Sequence, residues 1–143
     1  MNQAVSTTTW DDVAEGQQLP ALTFDVTYTT LAMDVSGTRD IYPIHHDPDF
    51  ATSNGVSNIF LNTMWYQGLV GRFVTDWGGI DSFLRKLKIE MKINGCPGDT
   101  LRVTGTVVRK FEDEAGRKLV DLDVRIANGD KPDAVISAAT VEL

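Results

Sequence analysis

The residues of this chain that could do chemistry are concentrated in one short segment, residues 36–51. It reads SGTRDIYPIHHDPDFA and holds both histidines of the 143-residue chain, three aspartates and two prolines. Pro43 and Pro48 stiffen the backbone around these side chains, because the proline ring fixes φ. A carboxylate and an imidazole close together in such a loop can share the handling of one proton. We therefore take Asp40 and His45 as the candidate catalytic pair.

Segment 36–51 resembles the loop signature of the MaoC-like family, which includes the (R)-specific enoyl-CoA hydratases. That signature is Asp-x-Asn-Pro-x-His followed by Asp-Pro-x-Phe-Ala. The chain fits it at Asp40, Pro43, Ile44, His45, Asp47, Pro48, Phe50 and Ala51. Tyr42 stands where the family usually carries asparagine, which changes the packing or hydrogen bonding of the loop and leaves the pair intact. The stretch from Leu87 to Gly105, with its Pro97-Gly98-Asp99 turn, is also similar to this family.

The resemblance implies an α+β hot-dog fold, in which a curved antiparallel sheet wraps around one long central helix. It implies hydratase or dehydratase activity on an acyl-CoA, with Asp40 and His45 catalytic and no metal, flavin or nicotinamide. Two hot dogs pair edge to edge in this family with the acyl-CoA between them, so a homodimer or a heteromer with a related hot-dog subunit is expected. The stretch from Asn58 to Thr63 is similar to a subgroup that acts on bulky acyl-CoAs such as steroid side chains, often as two different subunits.

Hydration of a C=C bond conjugated to a thioester also gives these residues physical roles. Asp40 can take a proton from water if burial or a partner tunes its pKa, and His45 can hold the same water and relay a proton. The thioester oxygen needs hydrogen-bond donors as enolate character develops, and backbone N–H groups at a helix N-terminus can supply them. We expect those donors at Asn58, Ile59 and Phe60.

Several residues keep two interpretations at this stage. His45 could be a structural histidine with Asp40 as its satisfied partner. Tyr42 either donates into the site or simply packs, and Asn62 either faces the pocket or turns away from it. Cys96, the single cysteine, is expected to be an exposed thiol without a catalytic role.

A metal site at His45, His46, Asp47 and Asp49 is the least favoured interpretation of the loop. Adjacent histidines point apart in most backbones, and no further Cys or His completes a ligand set. His46 is better explained as a solvated neighbour. Asp47 and Asp49 are expected to cap a short helix that begins near Phe50.

Alternating apolar residues predict the strands that flank this segment. The predicted strands cover 22–28, 87–93, 101–107, 120–126 and about 134–142. Turns are expected at Pro97-Gly98-Asp99, at Ala115-Gly116 and at Asn128-Gly129. This regular spacing is typical of an antiparallel meander.

Residues 58–77 predict one long helix that is buried on all sides. Its polar positions Asn62, Gln67, Arg72 and Asp76 do not collect on one helical face, and a helix without a polar stripe is expected to be buried. Ser57-Asn58 is the expected N-cap and Gly78-Gly79 the end. Gly68 and Gly71 are expected to let the helix approach the sheet closely. Residues 1–143 are interpreted as a single domain.

Composition excludes several classes of function. A formal net charge of −7 argues against nonspecific nucleic-acid binding, and no stretch approaches the ~20 apolar residues of a membrane span. The N-terminus has neither the basic start nor the apolar run of a signal peptide, so a cytoplasmic location is expected. Seven of the thirteen basic residues lie between Arg85 and Lys110. They either solvate the strands or, in part, meet the phosphates of a nucleotide-bearing substrate.

We therefore predict a reversible enoyl-CoA hydratase, and the short link from Ala51 to the central helix favours an open pocket for a bulky acyl group. Two alternatives remain. One is a hot-dog acyl-CoA thioesterase. The other is a non-catalytic subunit that completes a partner's pocket.

Overall fold

The computed structural model describes residues 7–143. Residues 1–6, part of the segment predicted not to be a signal peptide, lie outside the described range. The helices and strands are, in chain order, β1 (Leu22–Asp25), α1 (Tyr28–Thr38), α2 (Pro48–Ser53), α3 (Thr63–Gly78), β2 (Phe83–Met91), β3 (Thr100–Glu112), β4 (Lys118–Asn128) and β5 (Lys131–Glu142), with 3-10 turns at Trp10–Asp12 and Pro43–His45. Within the described range, none of the helices combines the length and apolar character needed to cross a bilayer.

The five strands form one antiparallel sheet in the order β1-β3-β4-β5-β2. The predicted turns at Ala115-Gly116 and Asn128-Gly129 are confirmed, and they make β3, β4 and β5 a true meander. The expectation that all four later strands follow one another is wrong for β2, which pairs with β5. The eight-residue connection from β2 to β3 can reach about 26 Å, more than the ~14 Å across three strand spacings, so it can pass the ends of β5 and β4.

One face of this sheet carries the core, because alternate strand residues point to the same side. Its buried members on the three central strands are Leu101, Val103, Val107, Val120, Leu122, Val124, Ile126, Val135, Ala139 and Val141. Helix α3 packs against this face with Tyr66, Leu69, Val70, Phe73 and Val74. A Cβ atom at Gly105 of β3 would lie 2.8 Å from the Phe73 ring, so glycine is what allows α3 to lie this close to the sheet.

The all-round burial predicted for the central helix is wrong. The sheet covers one side of α3, and the opposite side is exposed at Met64, Gln67, Gly68, Arg72 and Asp76. Of the two glycines expected to face the sheet, only Gly71 does so, since its Cβ would meet Leu84 at 3.8 Å. Gly68 faces open space.

The predicted end of the first strand and the predicted start of the long helix are also wrong, for reasons of capping. The strand predicted over 22–28 ends at Asp25, because Thr27 and Thr30 form a reciprocal capping box that starts α1 at Tyr28. The long helix begins at Thr63 and not near Asn58, because the Leu61 N–H bonds the Gly95 carbonyl and Asn62 is the N-cap. Its predicted end at Gly78-Gly79 is confirmed.

Candidate active site

The end of α1 turns the chain so that Asp40 points toward His45. Arg39 caps α1 in the left-handed region at φ 58°, the only non-glycine residue of 7–143 with positive φ. Side chains disfavour this conformation, which is found where surrounding structure requires it. The Asp40 Oδ2 and His45 Nε2 atoms are 3.5 Å apart, and Asp40 Oδ1 accepts the Tyr42 N–H at 3.3 Å. Asp40 and His45 are thus brought together, as the sequence predicts.

The tautomer of His45 is set by its other ring nitrogen. Nδ1 lies 2.6 Å from the carbonyl oxygen of Phe60, and because a carbonyl can only accept, Nδ1 must carry the hydrogen. In the neutral ring Nε2 is then an acceptor, and it faces the carboxylate acceptor of Asp40. A single water molecule that bridges Asp40 Oδ2 and His45 Nε2 from one side can donate one hydrogen to each atom. The His45 side chain is 9% exposed and that of Asp40 27%, so solvent reaches the pair from the carboxylate side.

Phe60 and Tyr42 hold the ring of His45 from two directions. The Phe60 ring meets it edge-on with centroids 5.0 Å apart, and the Tyr42 ring does so at 6.4 Å. Tyr42 also packs edge-on against Phe50 at 5.6 Å and remains 53% exposed. Of the two roles left open for Tyr42, its contacts are those of packing.

A buried polar cluster that the sequence analysis did not predict lies next to Asp40 and His45. Asp34 is fully buried on α1, and its Oδ2 accepts the Asn62 N–H at 2.9 Å. The Thr38 hydroxyl donates to the Asp34 carbonyl oxygen at 2.7 Å and accepts from Asn62 Nδ2 at 2.7 Å. It also accepts the Asp40 N–H at 3.4 Å. A helical period through Thr30, Leu31, Asp34 and Thr38 could have indicated this shared face.

Burial raises the pKa of the Asp34 carboxyl above its ordinary value. The N–H of Asn62, the neighbouring His45 and the Thr38 hydroxyl act in the opposite direction on this pKa, and Asp40 adds to the rise. Desolvation is the larger effect because the group is removed from water without a directly paired cation.

The residues expected to supply oxyanion donors, Asn58 to Phe60, precede α3 because the helix begins at Thr63. The Asn58 side chain accepts the Ile59 N–H through Oδ1 and donates from Nδ2 to the Tyr28 hydroxyl at 3.1 Å. The Ile59 side chain is buried in the core. Asn62 is the N-cap and accepts the Trp65 N–H at 2.8 Å. Helix geometry then leaves the N–H groups of Thr63 and Met64 without intrahelical acceptors.

An apolar groove leads away from this site between α1 and α3. Its volume is about 430 Å³ and it is lined by Phe24, Thr30, Met33, Thr38, Met64, Trp65, Gly68, Leu69 and Arg72. Thr38 and Met64 place one end beside Asp40 and the N-terminus of α3, while Arg72 lies two turns further along the helix. The site therefore has a groove of the size that holds drug-sized ligands. Trp65 packs on the core and also lines this groove.

The remaining polar residues of the loop have structural contacts. Asp47 is confirmed as the N-cap of α2, accepting the N–H groups of Asp49 and Phe50, whereas Asp49 lies in the first turn. His46 is exposed, as expected, with Nε2 at 3.0 Å from the Ile41 carbonyl oxygen.

Cys96 is half-buried, not exposed as expected. Its Sγ lies 3.8 Å from the Ser57 hydroxyl, and burial raises the pKa of the thiol. A raised thiol pKa disfavours the thiolate, so the residue is a poor nucleophile.

Much of the basic cluster between Arg85 and Lys110 has partners on the sheet. Arg85 pairs with Glu142, Arg109 with Asp121, and Lys92 with Glu90, whereas the ammonium of Lys110 lies over the Trp10 ring. These contacts favour the interpretation that such residues mainly solvate the strands.

The chain is similar in sequence and in structure to known hydratases. The chain is 33% identical over 92 residues, 64% of its length, to the 3-oxo-4,17-pregnadiene-20-carboxyl-CoA hydratase beta subunit of Mycobacterium tuberculosis, of which it covers 71%. In the ChsH1-ChsH2 complex from M. tuberculosis, a chain matches with TM-score 0.83 and 28% identity, over 91% of this chain and 98% of that one. The (R)-hydratase from A. caviae involved in PHA biosynthesis matches with TM-score 0.81 and 22% identity, over 92% and 98% of the two chains. No family model matches the chain.

These structural neighbours confirm the hot-dog fold that the loop signature implied. The chain belongs to the MaoC-like family of hydratases and dehydratases, which are hydro-lyases.

Proposed function

We propose that the chain adds water reversibly across the 2,3 double bond of an acyl-CoA, with Asp40 and His45 as its catalytic residues. The observation that carries this proposal is the pair of acceptors formed by Asp40 Oδ2 and His45 Nε2, 3.5 Å apart at a site next to a helix N-terminus. Two acceptors at this spacing bind one water through both of its hydrogens. The oxygen lone pairs of that water are then free to attack carbon.

In the proposed reaction the water oxygen bonds to C3 of the enoyl group while one of its protons passes to the acceptor pair. The π electrons move toward the thioester oxygen, which is stabilised by the N–H groups of Thr63 and Met64. The proton held by the pair is then delivered to C2, which completes addition without a covalent intermediate. The reverse sequence removes water from a 3-hydroxyacyl-CoA.

The groove between α1 and α3 supports a bulky acyl group. Its volume of about 430 Å³ lies within the ~300–1,000 Å³ typical of sites for drug-sized ligands. The relative from M. tuberculosis is named as the beta subunit of a pregnadiene-carboxyl-CoA hydratase. We propose that this chain also acts on an acyl-CoA whose acyl group bears a ring. We also propose that it acts in the cytoplasm.

A panel of enoyl-CoAs tests both parts of this proposal. The purified protein is incubated with four-carbon, long linear and ring-bearing enoyl-CoAs, and the loss of conjugated thioester absorbance is followed. We expect kcat/KM for the ring-bearing substrate to exceed that for the four-carbon one by at least ~10-fold, because a few additional apolar contacts supply that much. Equal or better turnover of the four-carbon substrate would contradict the bulky acyl group and leave hydration standing. Release of free CoA thiol from a saturated acyl-CoA would instead indicate a thioesterase.

We further propose that the chain functions as a dimer or as a heteromer with a related hot-dog subunit. Strand β2 is at the edge of the sheet, its first residue Phe83 is 57% exposed, and Ile80 just before it is 81% exposed. An edge strand with apolar neighbours needs cover. The relative in M. tuberculosis is named as one subunit of its hydratase, and the solved structure is of a complex.

Sedimentation at micromolar concentration measures this directly. We expect a species of at least two chains, formed by this chain alone or with the subunit that copurifies from its own cell. A well-folded monomer that hydrates enoyl-CoA at full rate would rule out the need for a partner.

A further inference from the structure

The buried cluster of Asp34, Thr38 and Asn62 joins two parts of the site that lie far apart in sequence. The Thr38 hydroxyl accepts a hydrogen bond from the Asp40 N–H on one side and another from Asn62 Nδ2 on the other. Asn62 is the N-cap of α3, and Asp40 carries the proposed base. One hydroxyl group therefore connects the loop that holds the proposed base to the helix whose N-terminus is proposed to bind the thioester oxygen.

We propose that Asp34, Thr38 and Asn62 are positioning residues that fix the Asp40 carboxylate relative to the N-terminus of α3. The inference rests on the proposed function, because that distance matters only if water and thioester oxygen are bound at these two places. Hydration requires the attacking water at C3 and the donors at the thioester oxygen to be held simultaneously, and a displacement of about 1 Å can lower the rate ~100-fold.

Asp34 is the member of the cluster that a purely structural role explains least. Its side chain is fully buried and takes part in no ion pair among residues 7–143. An asparagine could accept the same Asn62 N–H without burying a charge. The titratable groups around it are His45 on the 3-10 turn, Asp40 on the loop and Tyr66 on α3.

A carboxylate does have one advantage at this position. Hydrogen bonds to an ionised acceptor are shorter and stronger than those to a neutral amide, and the N-terminus of a helix favours negative charge. When ionised, Asp34 therefore holds the backbone N–H of Asn62, and with it the cap of α3, more firmly than an amide would. Ionisation of Asp34 would therefore fix the site geometry more firmly, although burial of its charge would lower stability.

Substitutions at Thr38 test the connection itself. Thr38→Val keeps the shape and removes the hydroxyl, so we expect kcat to fall between about 10- and 100-fold with KM changed less than about threefold. Thr38→Ser restores the hydroxyl and should recover most of the lost kcat. Ser36→Ala is the matched control, because the Ser36 hydroxyl makes the same type of bond, to the Ala32 carbonyl at 2.7 Å, on the exposed side of α1.

Asp34→Asn separates positioning from structural support. Because its pKa is raised in the folded state, the folded protein binds this proton more tightly than the unfolded chain does, and the stability of the wild type falls as pH rises through the raised pKa. Asparagine does not titrate, so the stability of the variant does not fall with pH for this reason. We expect its melting temperature to equal or exceed that of the wild type at pH 8, with a smaller margin near the ordinary carboxyl pKa of 3.8, while kcat falls at least ~10-fold.

The outcomes distinguish this inference from the function on which it rests. If the wild type hydrates no enoyl-CoA, alone or with its copurifying subunit, the proposed function fails and the positioning role falls with it. If the wild type is active and Thr38→Val keeps its full kcat, only the positioning role is overturned. A variant Asp34→Asn that is fully active and less stable at pH 8 would make Asp34 a structural residue.

Discussion

Asp40→Asn is expected to lower kcat by at least ~100-fold while leaving the melting temperature nearly unchanged. The amide keeps the shape of the side chain and can still accept the Tyr42 N–H, but it cannot take a proton from water. His45→Ala removes the other acceptor for the same water and should cause a loss of similar size. Both are measured as initial rates with the best enoyl-CoA of the panel.

The chain offers close controls for these two substitutions. His46→Ala and Asp49→Asn change the same residue types within segment 36–51, and neither side chain forms a hydrogen bond or ion pair with Asp40 or His45. Both should retain kcat. The double variant of Asp40 and His45 should lose little more than either single variant, because the two groups act on one water. A variant Asp40→Asn with most of its activity would show that the assignment is wrong.

Gly68→Phe is expected to abolish most activity toward ring-bearing enoyl-CoAs and to spare the four-carbon substrate. A Cβ at Gly68 meets nothing within 4 Å, so the new ring can enter the groove without disturbing the fold. Replacing a glycine inside a helix should itself favour folding by up to about 1 kcal/mol. We expect kcat/KM for the bulky substrate to fall by about 100-fold, which corresponds to several lost apolar contacts.

The neighbouring residue supplies the matched control for this prediction. Gln67 is also exposed on α3 but does not line the groove, so Gln67→Phe should leave both substrates unaffected. If Gly68→Phe lowers kcat/KM equally for the four-carbon and ring-bearing substrates, the groove does not hold the acyl group. The assignment of Asp40 and His45 would not be affected by that result.

The errors in the sequence prediction concern where elements begin and end, and which parts of the chain they contact. The apolar run Ile59-Phe60-Leu61 has no periodicity that separates a helix from an extended segment. What decides between them is the bond from Leu61 to Gly95, which belongs to another part of the chain. Likewise β2 and β3 alternate in the same way, and nothing in their own residues indicates that β2 pairs with β5.

The sequence by itself determined the residue types of the site, its loop and most of its strands, and the resemblance of the loop to a known signature implied the family. These depend on local rules: alternation along a strand, prolines that fix a loop, and a carboxylate and an imidazole a few residues apart. Only the tertiary structure decided that Asp34, Thr38 and Asn62 meet, that His45 is held by the Phe60 carbonyl, and that a groove opens at Gly68. Asp34 and Asn62 are separated by 28 residues and His45 and Phe60 by 15, so their contacts arise from how α1 and the loop pack against the start of α3. Packing between distant segments leaves no periodic signal in the sequence, and this is why the buried cluster could be recognised only in the folded chain.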